Sequence, residues 1–244
     1  MEPLFSLCSL VIFTLSPLLR NLAGMTTIKQ CFKEILRSDR EQSRLAARQV
    51  RKLVYGRDDR SKYADIKQQI YIVPKDYAKI KEDWRQENYV MAVSVIYFLH
   101  DREFGPDFLF PWLFELLKHT RGAIRYAAVR MIENELGPLT VHIRCPEVEL
   151  YRKDLKPEKA DVILLSLYLS LMQLLGQYDE PKYRRYKYIA SLPSSPYKSV
   201  QMILDRMEDD CGEGYLEGLV EKYQRMSVEV TLADFMTDKP DGSE

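Results

Sequence analysis

Between residues 104 and 137 the chain carries two consecutive apolar stripes, each repeating at steps of three and four residues. This spacing places the apolar side chains on one face of a helix, so the segment predicts two helices joined by a tight turn. A single helix pair cannot bury both stripes and needs similar pairs packed on either side. We therefore expect an all-α protein, a short α-solenoid of stacked antiparallel helix pairs. The stripes consist of Phe108, Leu109, Trp112, Leu113, Leu116 and Leu117, followed by Ile124, Ala127, Ala128, Met131, Ile132 and Leu136.

The composition agrees with a helical protein. Glycine is scarce, at 10 of 244 residues, and charged residues (30%) are interspersed among apolar ones (46%), which favours helix over sheet. The formal net charge is zero. The overall charge therefore gives no argument for nucleic-acid binding.

Two further helix pairs are predicted before this segment. The first has helices over residues 27–37 and 41–55, with Ser38 and Asp39 turning the chain and Gly56 ending the second helix. The second pair has helices over residues 76–86 and 88–100, after Pro74, which suits the first turn of a helix.

The second helices of these pairs align at Arg44-Leu-Ala-Ala, Tyr89-Val-Met-Ala and Arg125-Tyr-Ala-Ala, with spacings of 45 and 36 residues. Arg44-Leu45-Ala46-Ala47 and Ile124-Arg125-Tyr126-Ala127-Ala128, each after a short polar turn, resemble the second helix of HEAT repeats. The resemblance implies that the alanines let paired helices approach closely and that the arginine makes polar contacts between repeats. It identifies a class of repeat and no particular function.

The pattern changes after residue 137. Gly137 and Pro138 predict a break, and partial alternation over residues 139–151 predicts a small hairpin or an extended crossover. Pro157 opens a helix predicted over residues 158–175, which is apolar on nearly every face and therefore expected to be central and buried. Further helices are predicted over residues 182–191, 197–209, 213–226 and 230–236.

These segments suggest one helical domain that covers residues 25–137 and 138–236, with a disordered tail over residues 237–244. Residues 1–24 form an apolar leader with three interpretations. They are an upstream-start artefact preceding Met25, a signal or weak anchor, or a packed apolar helix. Seventeen uncharged residues interrupted by Pro17 only just reach across a bilayer core, so we expect no stable membrane span.

No catalytic, cofactor or metal motif stands out in the sequence. Cys8, Cys31, Cys145 and Cys211 show no C-x-x-C spacing, which favours reduced thiols in a cytoplasmic protein. If the leader is real, the protein is instead exported or membrane-associated. The three histidines, His100, His119 and His142, lack partners at metal-ligand spacing and are interpreted as helix-end or loop residues.

Two clusters of basic residues are candidate binding sites. The first, here called the arginine ridge, follows one helix face at steps of three and four residues, and arginine forks suit phosphate or carboxylate groups. The second interleaves bases with tyrosines. Each has a structural alternative: a solvated or inter-repeat ridge, and a helix that buries its tyrosines. The arginine ridge consists of Arg37, Arg40, Arg44, Arg48 and Arg51, and the second patch of Lys182, Arg184, Arg185 and Lys187.

The sequence therefore predicts a non-enzymatic interaction scaffold that presents a concave helical surface to another protein. The alternative is a nucleic-acid-binding HEAT-like protein that resembles the DNA-alkylation-repair glycosylases in length and helical repeats. In that family a Trp and an Asp one turn apart serve the damaged base, whereas here Trp84 is followed at that distance by Asn88, and Trp112 by Leu116.

Charge is unevenly distributed along the chain. Residues 29–62 hold eleven Lys and Arg against five Asp and Glu, while residues 205–244 hold four against twelve. A basic head and an acidic tail allow partner binding or a homo-oligomer in which the two ends meet.

Overall fold

The computed structural model describes residues 27–56, 62–99, 109–147, 155–181 and 195–225. Every regular element within these ranges is a helix, which confirms the all-α prediction. Contacts divide the chain into two compact units, one ending at Ile96 and one beginning at Tyr97, and each is described by itself. The single-domain and solenoid arrangements stay predictions.

The first unit begins with a helix pair whose bounds the sequence predicted. Helix α1 (Ile28–Arg37) starts at Thr27, whose side chain accepts a hydrogen bond from the Gln30 N–H while the Gln30 side chain accepts one from the Thr27 N–H. This reciprocal arrangement satisfies two backbone donors at the helix start. Helix α2 (Arg40–Tyr55) starts at Asp39, whose carboxylate accepts from the Gln42 N–H at 2.9 Å.

Helix α2 ends at Gly56, as predicted. A Cβ at this position would lie 2.7 Å from the Lys52 carbonyl oxygen. Glycine is required here because the chain passes close to the last turn of its own helix.

The second half of this unit departs from the prediction. Helix α3 (Lys62–Tyr71) was not predicted, and the predicted helix over residues 76–86 is wrong. The chain instead forms the short α4 (Val73–Tyr77), which holds Pro74 in its first turn, then a turn, and then α5 (Asp83–Ile96).

The turn between α4 and α5 is stabilised by contacts that no local pattern reveals. Ile80 is 6% exposed, and its carbonyl accepts a hydrogen bond from the Gln86 side chain at 3.0 Å. Burial of one apolar side chain within the turn, together with a satisfied carbonyl, favours the break over a continuous helix.

Helix α5 packs against both α1 and α2 and forms the core of the first unit. The rings of Phe32 and Tyr89 meet edge to face with centroids 5.3 Å apart. Ala46 on α2 and Ala92 on α5 are completely buried, so small side chains lie where these helices approach. Burial raises the pKa of the Tyr89 hydroxyl, and the nearby Asp76 carboxylate raises it further.

The second unit contains the helix pair predicted over residues 104–137. Helices α6 (Phe110–Leu117) and α7 (Gly122–Arg144) pack together after a short 3-10 turn, Tyr97–Leu99. Every stripe residue that the structure describes is buried, which leaves only Phe108 outside the described residues.

Helix α7 corrects the predicted break. It continues through Gly137 and Pro138 to Arg144, so the hairpin or crossover expected from residue 139 is wrong over residues 139–144. Pro138 cannot donate to the carbonyl of Asn134, but Asn134 is exposed and water can serve its carbonyl. Burial of Leu139 and of Thr140, whose hydroxyl donates to the Leu136 carbonyl at 2.7 Å, outweighs the missing bond.

Three helices complete the described part of this unit: α8 (Pro157–Gln177), α9 (Pro196–Cys211) and α10 (Tyr215–Arg225). Helix α9 packs on α7 and α8, and α10 packs on α8 and α9. Gly212 and Gly214 connect α9 to α10 with positive φ angles of 86° and 75°, which favour glycine.

Helix α8 begins at Pro157 as predicted, and after an exposed first turn most residues from Ala160 to Leu167 are buried. The expectation of burial on nearly every face is wrong for the second half, where Leu169 is 41% and Met172 45% exposed. By length and composition it is also the one helix among the described residues that could cross a membrane, although 44% of its most apolar window is buried inside the protein.

Several predictions fall outside the described residues. These are the three interpretations of residues 1–24, the last residues of the 139–151 crossover, the helices over 182–191 and 230–236, and the tail over 237–244.

Candidate functional site

A row of three cations lies along the exposed side of α1. Lys29, Lys33 and Arg37 follow one another at steps of four residues, and all three are exposed. Four residues of α-helix rise about 6 Å, so the row places a positive charge at about every 6 Å. We call these three residues the α1 row.

The α1 row borders a cleft of about 660 Å³ between α1 and the segment that runs from α3 to the first turn of α5. A cavity of this size is comparable with known ligand sites. We call it the basic cleft. Its apolar lining consists of Phe32, Leu36, Ile72 and Ile80, and the wall opposite α1 adds Lys79, Lys81 and Arg85.

Only two carboxylates line the basic cleft, and each already has a partner. Asp76 pairs with Lys79 at 2.8 Å, and Glu82 pairs with Arg85 at 3.3 Å. The other four cations of the cleft form no ion pair with any residue that the structure describes. The cleft therefore carries four exposed and unneutralised positive charges, on Lys29, Lys33, Arg37 and Lys81.

Arg85 is held in place by its surroundings. Its Nη1 donates to the Ile35 carbonyl at 3.0 Å, its guanidinium lies 4.5 Å from the centre of the Trp84 ring, and its side chain is 12% exposed. The pKa of the Glu82 carboxyl is lowered by a hydrogen bond from the Glu82 backbone N–H, and the nearby Arg85 guanidinium lowers it further. Arg85 thus serves the fold and fixes one end of the cleft, whereas the four free cations remain available.

A buried polar network positions α1 against the rest of the cleft. The Ile35 carbonyl, near the end of α1, also accepts from the Ser43 hydroxyl at 3.1 Å, and the Asn88 side chain donates to that hydroxyl at 3.1 Å. These bonds join α1, α2 and α5 through polar atoms that would otherwise be left without partners. They hold the α1 row in a fixed place relative to the turn before α5.

The arginine ridge lies on the surface of the first unit. All five arginines are exposed, and Arg37 belongs to both the ridge and the basic cleft. Arg44 pairs with Glu41 on the same helix at 2.7 Å, and Arg51 lies over the Tyr55 ring at 5.9 Å. Arg40 and Arg48 have no ion pair within the described part of the chain. The proposed binding role of the ridge stays a prediction.

The second basic patch, Lys182, Arg184, Arg185 and Lys187, lies outside the described residues. The two arginines compared with HEAT repeats differ from each other. Arg44 faces solvent, whereas Arg125 is 5% exposed and donates through Nη1 to the carbonyls of His119 and Thr120 at 2.6 and 2.9 Å. Arg125 therefore anchors the turn of its own helix pair, and burial lowers its pKa.

The second unit contains a cluster of chemically versatile groups. Asp161 Oδ1 on α8 accepts a hydrogen bond from the Tyr215 hydroxyl of α10 at 2.8 Å and lies 2.9 Å from His142 Nε2 of α7. The side chains of His142 and Asp161 are each 11% exposed, and His142 Nδ1 is buried. The cluster therefore joins three helices through largely buried side chains.

The remaining histidine that the structure describes has a local role. His119 Nδ1 accepts a hydrogen bond from the Arg121 N–H at 3.0 Å, in the turn before α7. His100 lies outside the described residues. Within the described ranges, no group of three or more His, Cys, Asp or Glu side chains could hold a metal ion.

Sequence reasoning identified Arg37 but missed the rest of the basic cleft. The four-residue spacing of Lys29, Lys33 and Arg37 was a readable signal, because it places three cations on one helix face. Lys81 had no such signal, since it lies in a turn that the sequence predicted as helix.

Comparisons with known proteins do not assign the chain to a family. No protein-family model, curated protein or solved structure matches it.

Proposed function

We propose that this chain is a non-enzymatic interaction protein whose first unit binds an acidic partner protein through the arginine ridge and the basic cleft. The proposal includes the HEAT-like repeat class, in which stacked helix pairs present a concave helical surface. Buried alanines on the second helices support close packing of paired helices: Ala46, Ala92, Ala127 and Ala128.

One observation carries the proposal: all five arginines of the ridge are exposed, Arg40 and Arg48 form no ion pair within the described residues, and Arg37 also lines a cleft that has apolar walls. Free charges steer a complementary partner and contribute to specificity, and apolar walls add affinity where an apolar side chain is buried. A surface that combines both features suits a protein better than the phosphate backbone of a nucleic acid.

Nucleic-acid binding is the competing function, and one capture experiment distinguishes it from protein binding. The full chain is used to capture partners from its native host, with and without nuclease. The recovered protein is then purified and its affinity is measured directly. The comparison variant carries Arg40→Gln, Arg44→Gln, Arg48→Gln and Arg51→Gln.

We expect an acidic protein whose capture resists nuclease and whose direct affinity for the variant falls at least about tenfold. The variant should unfold at nearly the same denaturant concentration, because exposed charges contribute only a few tenths of a kcal/mol each. Loss of all captured material on nuclease treatment contradicts the proposal. A large loss of stability with unchanged binding would show that the ridge serves the fold.

A further inference from the structure

Resting on the proposed function, we infer that the basic cleft binds an extended acidic segment of the partner, in which carboxylates alternate with apolar side chains. The arginine ridge then contacts other parts of the same partner. This assignment names the occupant of the cleft and the residues that select it.

The spacing of the α1 row supports an extended occupant. Its charges recur at about every 6 Å along the helix. In an extended chain, alternate side chains lie on one face at about 6.6 Å intervals. Three successive carboxylates on one face of an extended segment can therefore meet Lys29, Lys33 and Arg37 in order.

The opposite wall supports the alternation. The side chains between the carboxylates point to the other face of the segment. That face meets Ile72, which is 40% exposed, and Ile80, while Lys81 is placed to bind a further carboxylate or a backbone carbonyl. A purely anionic ligand would leave the exposed Ile72 in water.

The test uses a fluorescent peptide in which three glutamates alternate with leucine and phenylalanine, titrated with the full chain at about 0.15 M salt. A variant with Lys29→Gln, Lys33→Gln and Arg37→Gln should bind it at least about tenfold more weakly. The matched control removes three ridge charges instead, Arg40→Gln, Arg48→Gln and Arg51→Gln, and should change the affinity less than about twofold. Because both variants lose three charges, a difference between them reports position and not net charge.

A second variant tests the apolar wall. Ile72→Ser removes apolar surface that lines the cleft and should weaken binding of the peptide about threefold or more, while the denaturant midpoint of the variant shows that it is folded. The same peptide with glutamine in place of glutamate should bind at least about tenfold more weakly to the unmodified chain.

Equal loss of affinity in both charge variants, or no loss in either, overturns the assignment of the cleft. Tighter binding of a short single-stranded DNA that displaces the peptide and is lost in the α1-row variant also overturns it, in favour of a nucleic acid. The proposed function is tested separately. A captured acidic protein whose binding depends on the arginine ridge supports it, even when the α1-row variant binds that protein with unchanged affinity.

Discussion

Two tyrosine–carboxylate hydrogen bonds join α8 and α10, and they differ in distance and burial. The Tyr215 hydroxyl donates to Asp161 at 2.8 Å, and the Asp161 side chain is 11% exposed. The Tyr168 hydroxyl donates to Glu217 at 3.4 Å, and that bond is exposed. Tyr215→Phe and Tyr168→Phe each remove one tyrosine hydroxyl from the contact between α8 and α10, so each variant is a matched control for the other.

The expected costs follow from the surroundings of each carboxylate. A hydrogen bond to a charged group contributes about 1.5–3 kcal/mol, and a buried acceptor that loses its donor bears the full desolvation penalty. Asp161 keeps His142 as a partner, so we expect Tyr215→Phe to cost about 1.5–2 kcal/mol of unfolding free energy. Glu217 is hydrated, and Tyr168→Phe should cost less than about 0.5 kcal/mol.

The assay requires a signal from the second unit alone. The chain contains two tryptophans, and Trp112 on α6 is 7% exposed, so its fluorescence will change when that unit unfolds. In a Trp84→Phe background, denaturant unfolding followed by Trp112 measures the second unit without a contribution from Trp84. Equal costs for the two variants, or a smaller cost for Tyr215→Phe, would refute the argument that burial of Asp161 sets the magnitude.

The stability difference between the unmodified chain and Tyr215→Phe should also depend on pH. Burial, followed by the hydrogen bond to Asp161, raises the pKa of Tyr215 above its ordinary value of 10.0. The folded protein therefore holds the phenol proton at pH values where the unfolded chain has lost it, and stability decreases as pH rises through this window. The advantage of the unmodified chain over Tyr215→Phe should be complete below about pH 10 and should shrink above it.

Three further outcomes are expected. Leu116→Ala and Ile132→Ala should each cost about 2–5 kcal/mol in denaturant melts, because both side chains are at most 1% exposed, and losses below about 1 kcal/mol would refute their placement. Peptide mapping after alkylation at about pH 8 should find the exposed Cys145 modified while the buried Cys31, whose pKa burial raises to about 12, stays unmodified in the folded protein. Lys33→Glu should stabilise the chain by about 1 kcal/mol, because it replaces two like-charge pairs along α1 with opposite-charge pairs. The same variant should bind the acidic peptide more weakly. A loss of stability would contradict the interpretation that these cations lack ion-pair partners.

The helix starts and ends that the sequence predicted depend on neighbouring residues. Thr27 with Gln30, Asp39 and Gly56 each act within one turn of the helix that they cap, so local sequence is sufficient to place them. The apolar stripes of α6 and α7 were equally readable, because their period alone determines the buried face.

The errors arose where distant contacts outweigh local preference. Pro138 is unfavourable inside a helix, but α7 continues because the residues after it are buried against other helices. Residues 76–86 have a helical pattern, but burial of Ile80 favours a turn. For the same reason the sequence could show the α1 row but could not show which residues face it across the cleft.

The two charged clusters of this chain have opposite physical character, and the difference indicates which one is available for binding. In the second unit the Asp161 carboxylate is buried and hydrogen-bonded to Tyr215 and His142, so its partners already lie inside the protein. In the first unit Lys29, Lys33 and Arg37 lie four residues apart, and like charges at this spacing destabilise an isolated helix by about 0.2–0.5 kcal/mol per pair. Glu34, one helical turn before Arg37, offsets part of this cost, but no carboxylate among the described residues forms an ion pair with any of the three cations. An acidic segment in the basic cleft would remove the repulsion and bury the apolar wall in one step, so binding and stability should change together when such a segment is added.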